Sequence, residues 1–165
     1  MYLFGQSGHR PNDPEIVFIQ EMAPKRCWPF PGTSGTLGID LDHNVYPINV
    51  TIGHHFTHTP SGSAPRDIFV WGITDSPATP QNVTTFLVEH QSRSFPRHLI
   101  EHLSSGVPIL LGELRYDTQR SEPLQSMTLE ETRGIVCNKV VIEVADNWGS
   151  EEYTCLYHVR IQGFR

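Results

Sequence analysis

The stretch NWGSEEYTCLYHVRIQG, residues 147–163, constrains the fold more than any other part of the chain. From Tyr153 onward its residues alternate with the two-residue period of a β-strand. Such a strand, with one buried and one wet face, is typical of an antiparallel sheet. We predict that residues 147–150 form the turn before this strand. The residues predicted to face inward are Tyr153, Cys155, Tyr157, Val159 and Ile161.

The composition predicts one all-β domain. The chain has 165 residues, which is enough to bury a core, and its 13 glycines and 13 prolines indicate many turns. We therefore predict a compact antiparallel β-sandwich. The net charge of −6 argues against a nucleic-acid-binding protein, which would need a basic surface. No apolar run approaches the roughly 18 residues that a membrane span needs.

Apolar patterning predicts the strands along the chain. In residues 47–52 we expect Ile48, Val50 and Ile52 to face inward and the alternate residues to face solvent. Residues 68–73 are apolar on both faces, which predicts a central strand. The other segments predicted as strands are 16–19, 36–41, 109–116, 124–129 and 134–144.

A long connection, residues 74–108, separates two of these strands, and we predict that it is a surface insertion. We expect a strand over residues 84–90 and a short helix over residues 95–103, with a proline near its start and Gly106 beyond its end. Within that helix, the segment HLIEH matches the H-x-x-E-H pattern of a zinc metalloprotease family. His98 and His102 would then bind zinc with Glu101 as the general base, although such residues on a polar helix face are more often solvated.

The three cysteines allow one disulfide bond and one free thiol. Their spacing does not fit a zinc site, and the residues alone leave the pairing open. His54, His55 and His58 also suggest a metal site. However, the threonines and proline around them oppose the helix that would align them, and no carboxylate is near to complete a ligand set.

Five ordered blocks of sequence carry a resemblance to a known family. These are CWPFPG, VTIGHH, SAPRDIFVWGI and LLGELRYD, at residues 27–32, 50–55, 63–73 and 110–117, followed by the C-terminal stretch described above. Together they closely resemble the SUN domains of inner nuclear membrane proteins. The resemblance implies that residues 16–165 form a SUN domain interrupted by the segment 74–108. It also implies that residues 1–15 are a lead-in that holds the tail of the peptide-gripping lid.

The resemblance also implies a function. SUN domains are not enzymes; they form trimers in the lumen of the nuclear envelope and bind the C-terminal tails of KASH proteins, which links the nucleus to the cytoskeleton. In the full-length protein a transmembrane helix would lie outside this chain. The residues implied to line the peptide groove are His54, Ser63, Tyr153 and Tyr157, and Gly53 stands where an acidic residue is usual in the family.

Two further features follow from the family pattern. A disulfide bond is expected between Cys27 and Cys155, which leaves Cys137 as a buried free thiol. A loop containing Gln20, Glu21 and Arg26 is expected to bind a monovalent cation, K⁺, through backbone carbonyls.

Two other functions remain as alternatives. A carbohydrate-binding β-sandwich would share this architecture, and Trp71 or Trp148 could stack on a sugar. The zinc hydrolase built on the HLIEH segment is the second alternative. The chain also carries two N-glycosylation sequons, at Asn49 and Asn82.

Overall fold

A computed structural model describes residues 3–4, 13–19, 21–23, 26–55, 61–76, 78–129 and 134–165. Antiparallel strands dominate it, and among the described residues no helix is long and apolar enough to cross a membrane. The strands are β1 Leu3–Phe4, β2 Trp28–Pro31, β3 Gly35–Gly53, β4 Pro65–Thr74, β5 Val107–Arg115, β6 Leu124–Thr128, β7 Cys137–Asn147, β8 Tyr153–Leu156 and β9 His158–Phe164. The helices are α1 Gln81–His90 and α2 Arg97–Ile100, with 3-10 helices at Pro14–Phe18 and Ser61–Ser63.

The 19-residue strand β3 belongs to both layers of the fold. Its first part pairs with β1 and β7, and β7 continues through β4 to β5, which gives the strand order β1-β3-β7-β4-β5. Its last part pairs with β6 on one side and β9 on the other. The register with β7 shifts between Asp40 and Val45, just before β3 begins to pair with β9 at Tyr46. The predicted antiparallel β-sandwich is confirmed.

The core is built from alternating residues of both layers. Val50 and Ile52 of β3 are fully buried with Ile68 and Val70 of β4 and with Ile142 of β7. The strand β4 lies between β5 and β7, so the prediction of a central strand there is confirmed. Its opposite face is also buried, through Trp71 and Ile73. This two-sided burial explains why the segment is apolar on both faces.

The single C-terminal strand predicted from the alternation is wrong. The strand is interrupted at Tyr157. The residues before it form β8, which pairs with β2, and those after it form β9, which pairs with β3. Thr154 and His158, which were expected to face solvent, are 0% and 5% exposed. The segment crosses here from one partner strand to another, and neighbouring elements cover both of its faces.

The predicted inward face of residues 47–52 is also partly wrong. Ile48 is 39% exposed, whereas Thr51 is only 5% exposed. The pairing of β3 with β9 shifts between Pro47 and Asn49. An irregularity of this kind interrupts the strict alternation of faces and turns Ile48 outward.

Two predicted strands form helices instead. Residues 16–19 follow Pro14 in a 3-10 helix, in which the amides of Ile16 and Ile19 donate to carbonyls three residues back. Residues 84–90 belong to α1, because Val83 and Leu87 lie four positions apart and pack together against the core. Short apolar runs do not by themselves distinguish a strand from a helix.

The connection between β4 and β5 is more than a surface insertion. Phe95 and Leu99, at 7% and 8% exposure, pack on Trp71, Ile73 and Val141 at the outer face of the first layer. The short helix predicted there is present as α2 and is followed by a turn. The connection therefore covers a face of the sheet that would otherwise expose large apolar side chains.

Polar contacts anchor the same connection. The Arg93 guanidinium lies 2.7 Å from a carboxylate oxygen of Glu143. The carboxylate of Glu143 also accepts a 2.9 Å hydrogen bond from Trp71 Nε1. The guanidinium lies 4.2 Å from the centre of the Phe69 ring. The Arg93 contact compensates the charge of Glu143, whose side chain is only 9% exposed.

Two neighbours on α2 allow a test of this packing. Replacing Leu99 by alanine should lower the free energy of unfolding by about 2–4 kcal/mol, because it opens a cavity against Trp71 and Val141. Ile100→Ala is the matched control, since Ile100 is 53% exposed and should change stability little. Urea unfolding of the two variants measures the difference. Equal, small losses would show that the connection contributes nothing to the core.

Candidate peptide-binding site

The side chain of Asn147 organises the turn that leads into β8. Its amide nitrogen donates to Ser150 O at 2.7 Å and to Thr154 Oγ1 at 2.9 Å, and its oxygen accepts from the Gly149 amide at 2.9 Å. Asn147 is 1% exposed, so these bonds form away from solvent. They hold the first residues of β8 in one position, which confirms the turn predicted over residues 147–150.

A disulfide bond then ties β8 to the start of β2. Cys27 and Cys155 are bonded, with their Cα atoms 5.5 Å apart and a sequence separation of 128. The strands β2 and β8 pair in antiparallel orientation, with Trp28 opposite Leu156. The family-based pairing is therefore confirmed. Cys137 is the free cysteine; it is buried, and burial raises the pKa of its thiol to about 12.

The end of β3 brings His54 beneath this crosslink. His54 is 0% exposed, and its Nδ1 lies 3.2 Å from the carbonyl oxygen of Cys155, so the ring donates from Nδ1. The pKa of His54 is lowered from 6.5 to about 4, mainly by burial. The neighbouring His55 contributes in the same direction, and the hydrogen bond to Cys155 acts in the opposite one. The imidazole is consequently neutral at physiological pH.

Tyr157 lies against this histidine at the break between β8 and β9. Its ring meets the His54 ring edge-on, with centroids 5.1 Å apart, and its backbone amide donates to Gly53 O at 3.3 Å. Tyr157 is 1% exposed. Tyr153, four residues earlier, is half-buried and packs in the same cluster as Cys27, Cys155 and Tyr157.

Ser63 approaches β8 from the other side. It ends a 3-10 turn that packs on β8, and it is 1% exposed. Two backbone hydrogen bonds join its neighbours to the turn before β8, from Trp148 N to Ala64 O at 3.2 Å and from Ser150 N to Gly62 O at 3.1 Å. All four residues predicted for the groove therefore lie around β8 and the end of β3, with Tyr153 the most exposed of them.

Tyr116, which was not among the predicted site residues, also belongs to this region. Its ring centroid lies 6.3 Å from that of His54, and its hydroxyl donates to Pro123 O at 2.8 Å, the same carbonyl that accepts from the His54 amide. Burial raises the pKa of the Tyr116 hydroxyl. The residue belongs to the LLGELRYD block, so the block pattern indicated its importance but not its contact with His54.

Gly53 lies where three elements converge. A Cβ atom at this position would stand 2.7 Å from Met22 Sδ and 2.8 Å from atoms of Leu124 and His158. These side chains occupy the volume that a larger residue would take. A residue with a side chain at position 53 would therefore displace these neighbours.

Comparison with known proteins fits this arrangement. The chain matches the family described as Sad1 / UNC-like C-terminal over residues 8–107 and 102–165. It belongs to the SUN-domain family.

Curated relatives share this SUN domain at moderate identity. SUN domain-containing protein 1 of Homo sapiens is 29% identical over 168 residues, which cover 99% of this chain and 17% of that protein. SUN domain-containing protein 3 of Homo sapiens is 28% identical over 154 residues, which cover 91% and 35%. Sperm-associated antigen 4 protein of Mus musculus is 28% identical over 156 residues, which cover 92% and 29%. The chain thus spans only a minor part of the length of each.

Solved structures resemble this SUN domain in fold alone. The family 32 carbohydrate-binding module of Streptococcus pneumoniae EndoD has a TM-score of 0.61 at 10% identity. The match covers 98% of this chain and 95% of that module. The family 32 module of C. perfringens NanJ, solved with galactose, has a TM-score of 0.63 at 8% identity, with 97% and 91% covered. Both share the overall fold described above.

The tryptophans considered for sugar stacking serve other purposes in this SUN domain. Trp71 is 0% exposed and donates to Glu143. Trp148 is half-buried, and the guanidiniums of Arg66 and Arg115 lie 5.9 and 5.5 Å from its ring centre. Its Nε1 donates to Tyr116 O at 2.9 Å. The buried Trp71 therefore presents no face to a sugar, and Trp148 is already engaged by two guanidiniums and a backbone carbonyl.

The metal hypotheses gain no support from the described part of the chain. Within it, no three histidine, cysteine or acidic residues come together as a metal site. His98, Glu101 and His102 are exposed on α2 and the turn after it, and α2 is only four residues long. His58 lies outside the described residues.

Two features expected from the family remain predictions. In the cation loop, Glu21 and Arg26 are exposed and the Arg26 amide donates to Ala23 O at 3.1 Å, but Gln20 lies outside the described residues. In the lead-in, Leu3–Phe4 pairs with β3, whereas residues 1–2 and 5–12 lie outside the described residues.

Removing the crosslink should destabilise the domain. For Cys27→Ala combined with Cys155→Ala we expect a loss of about 5 kcal/mol, because the bond closes a loop of this length in the unfolded chain. Cys137→Ala is a useful comparison, since it removes a buried thiol without opening a loop. Denaturant unfolding of both proteins gives the values. A double variant as stable as the wild type would contradict this view of the bond.

The neutral buried histidine predicts a pH dependence of stability. Between pH 6.5 and 4 the unfolded chain protonates His54 while the folded chain does not, so the unfolded state binds more protons. The free energy of unfolding should therefore fall by about 3 kcal/mol as the pH falls through this window. In His54→Asn, which keeps a donor toward Cys155 O, that part of the loss should disappear. Identical pH profiles for the two proteins would contradict a neutral His54.

Proposed function

We propose that this SUN domain binds the C-terminal tail of a KASH protein in the lumen of the nuclear envelope. The observation that carries the proposal is the convergence of Ser63, Tyr153 and Tyr157 around one crosslinked strand in a chain of this family. In the proposed role the domain bridges the inner and outer nuclear membranes, as part of a homotrimer, and catalyses no reaction.

The hydroxyl groups are suited to a terminal carboxylate. A carboxylate that leaves water needs several donors to replace its hydration. Tyr153 is half-buried, whereas Ser63 and Tyr157 are each 1% exposed. We assign Tyr153 to the first contact with the peptide terminus and the two deeper hydroxyls to its final position. The tyrosine rings supply apolar surface for the preceding peptide residue.

His54 supports this pocket from behind. Because its ring is fully buried and meets Tyr157 edge-on, it fixes the orientation of the Tyr157 ring rather than presenting a charge. A neutral imidazole also keeps the low-dielectric interior free of an unpaired cation. The proline-rich part of the tail would then pass beside the half-buried His55, whose ring lies 5.8 Å from that of Tyr157.

The disulfide bond supports a lumenal location. Structural disulfides persist in oxidising compartments and are rare in the cytosol. The lumen of the nuclear envelope, continuous with that of the endoplasmic reticulum, is such a compartment. The Cys27–Cys155 bond also holds β8, and with it Tyr153, against β2. A site that depends on an oxidised crosslink is consistent with function on this side of the membrane.

Peptide binding tests the proposal directly. A KASH-type peptide with a free C-terminal carboxylate should bind the full-length lumenal region, and amidating or extending its C-terminus should weaken binding at least tenfold. Tyr153→Phe and Ser63→Ala should each cost a similar factor, since a hydrogen bond to a charged group contributes about 1.5–3 kcal/mol. Calorimetric titration gives the affinities.

Tyr46→Phe is the matched control, because Tyr46 is an exposed tyrosine at the opposite end of the last part of β3. It should leave the affinity unchanged. If an extended peptide binds as tightly as the free acid, the carboxylate pocket is not at these residues.

A further inference from the structure

The two N-glycosylation sequons occupy very different places in the fold. Asn49 lies in β3, which is paired on both sides, and it is half-buried. Its side-chain oxygen accepts a 3.4 Å hydrogen bond from Thr51 Oγ1, and that hydroxyl lies 2.7 Å from Ser126 Oγ. Thr51 itself is only 5% exposed. A glycan at Asn49 would have to leave a strand that has neighbours on both sides, β6 and β9.

Asn82 lies in an open setting. It is the second residue of α1 and is exposed. The hydroxyl of Thr84, the third sequon residue, turns back to Pro80 O at 3.4 Å and is largely buried. The helix buries Thr84 and packs Val83 and Leu87 toward the core. Asn82 therefore lies on the side of α1 away from Val83 and Leu87, where it is exposed to solvent.

An exposed aromatic residue lies one turn further along the same helix face. Phe86 is 58% exposed, which is unusual for so large an apolar ring, and its ring stacks on that of His90 at a centroid distance of 4.2 Å. Residues four apart on a helix are neighbours, with Cβ atoms about 5–6 Å apart. Asn82, Phe86 and His90 therefore form one continuous stripe on the outside of α1.

We propose that Asn82 carries an N-linked glycan and that its first sugar covers the ring of Phe86. This inference rests on the lumenal location proposed above, because the transferase acts only there. In the transfer, the Asn82 side-chain nitrogen bonds to C1 of the sugar while the bond between C1 and the phosphate of a lipid-pyrophosphate-linked oligosaccharide breaks. The lipid pyrophosphate leaves, and the amide nitrogen loses one proton.

The covering of Phe86 follows from the chemistry of the two surfaces. The C–H face of a pyranose ring is apolar, and an exposed aromatic ring gains by removal from water. Attachment at Asn82 holds the sugar beside Phe86 without a separate cost of association. A glycan here would cover the exposed apolar ring of Phe86 with a hydrated surface.

The test uses the full-length protein produced in eukaryotic cells. Glycopeptide mass spectrometry should find a glycan on Asn82 and none on Asn49. Asn82→Gln should abolish the mobility shift on enzymatic deglycosylation, whereas Asn49→Gln should preserve it. Thr84→Ser is the matched control, because serine keeps both the sequon and the hydroxyl that reaches Pro80. Loss of the shift in Thr84→Ser, or a glycan on Asn49 alone, would overturn the assignment.

A second readout separates this inference from the proposed location. Mapping without reduction reports whether Cys27 and Cys155 are bonded in the same sample. A bonded pair with an unmodified Asn82 overturns the glycan while leaving the lumenal proposal intact. Reduced cysteines with an unmodified Asn82 overturn both.

The contact with Phe86 is tested in the glycosylated protein. Deglycosylation should lower Tm for the wild type, and Phe86→Ala should remain glycosylated but lose this difference in Tm. An equal drop in both proteins would contradict the covering of Phe86.

Discussion

The pairing of β3 is the constraint on which the rest of the structure depends. One strand of 19 residues pairs with β1 and β7 in its first part and with β6 and β9 in its last part. Neither layer can therefore form without fixing the position of the other. The site benefits directly, because the last residues of β3 deliver His54 to the point where β8 ends and β9 begins.

Burial, more than charge, defines the chemistry of this site. His54, Tyr116 and Tyr157 are each at most 1% exposed, and the rings of Tyr116 and Tyr157 meet that of His54 in T-shaped contacts. Burial lowers the pKa of His54 and raises that of Tyr116, so both groups are neutral at physiological pH. Such a cluster is unsuited to acid–base catalysis at neutral pH. It is well suited to holding a recognition surface in a fixed shape.

Sequence patterns predicted the architecture well and the local faces less well. Ordered blocks and alternation identified the central strand β4, the turn at Asn147 and the crosslink from Cys27. Alternation failed at His158 and Thr154, because it assumes a single partner strand and the chain changes partner at Tyr157. It failed at Ile48, where the register shifts. The contact of Tyr116 with His54, which lies 62 residues earlier in the sequence, has no local signature, since only the tertiary fold brings the two together.

The crosslink between Cys27 and Cys155 has a mechanical consequence. Consider a pull that acts between the chain before Cys27 and a ligand held at β8. Its path runs directly across the sulfur–sulfur bond. The residues between the two cysteines then lie off this path. They include the whole first layer from β3 onward and its covering helices. In the proposed role, the bond would therefore pass a pull from the bound peptide to the chain before Cys27 without loading most of the hydrogen-bonded sheet.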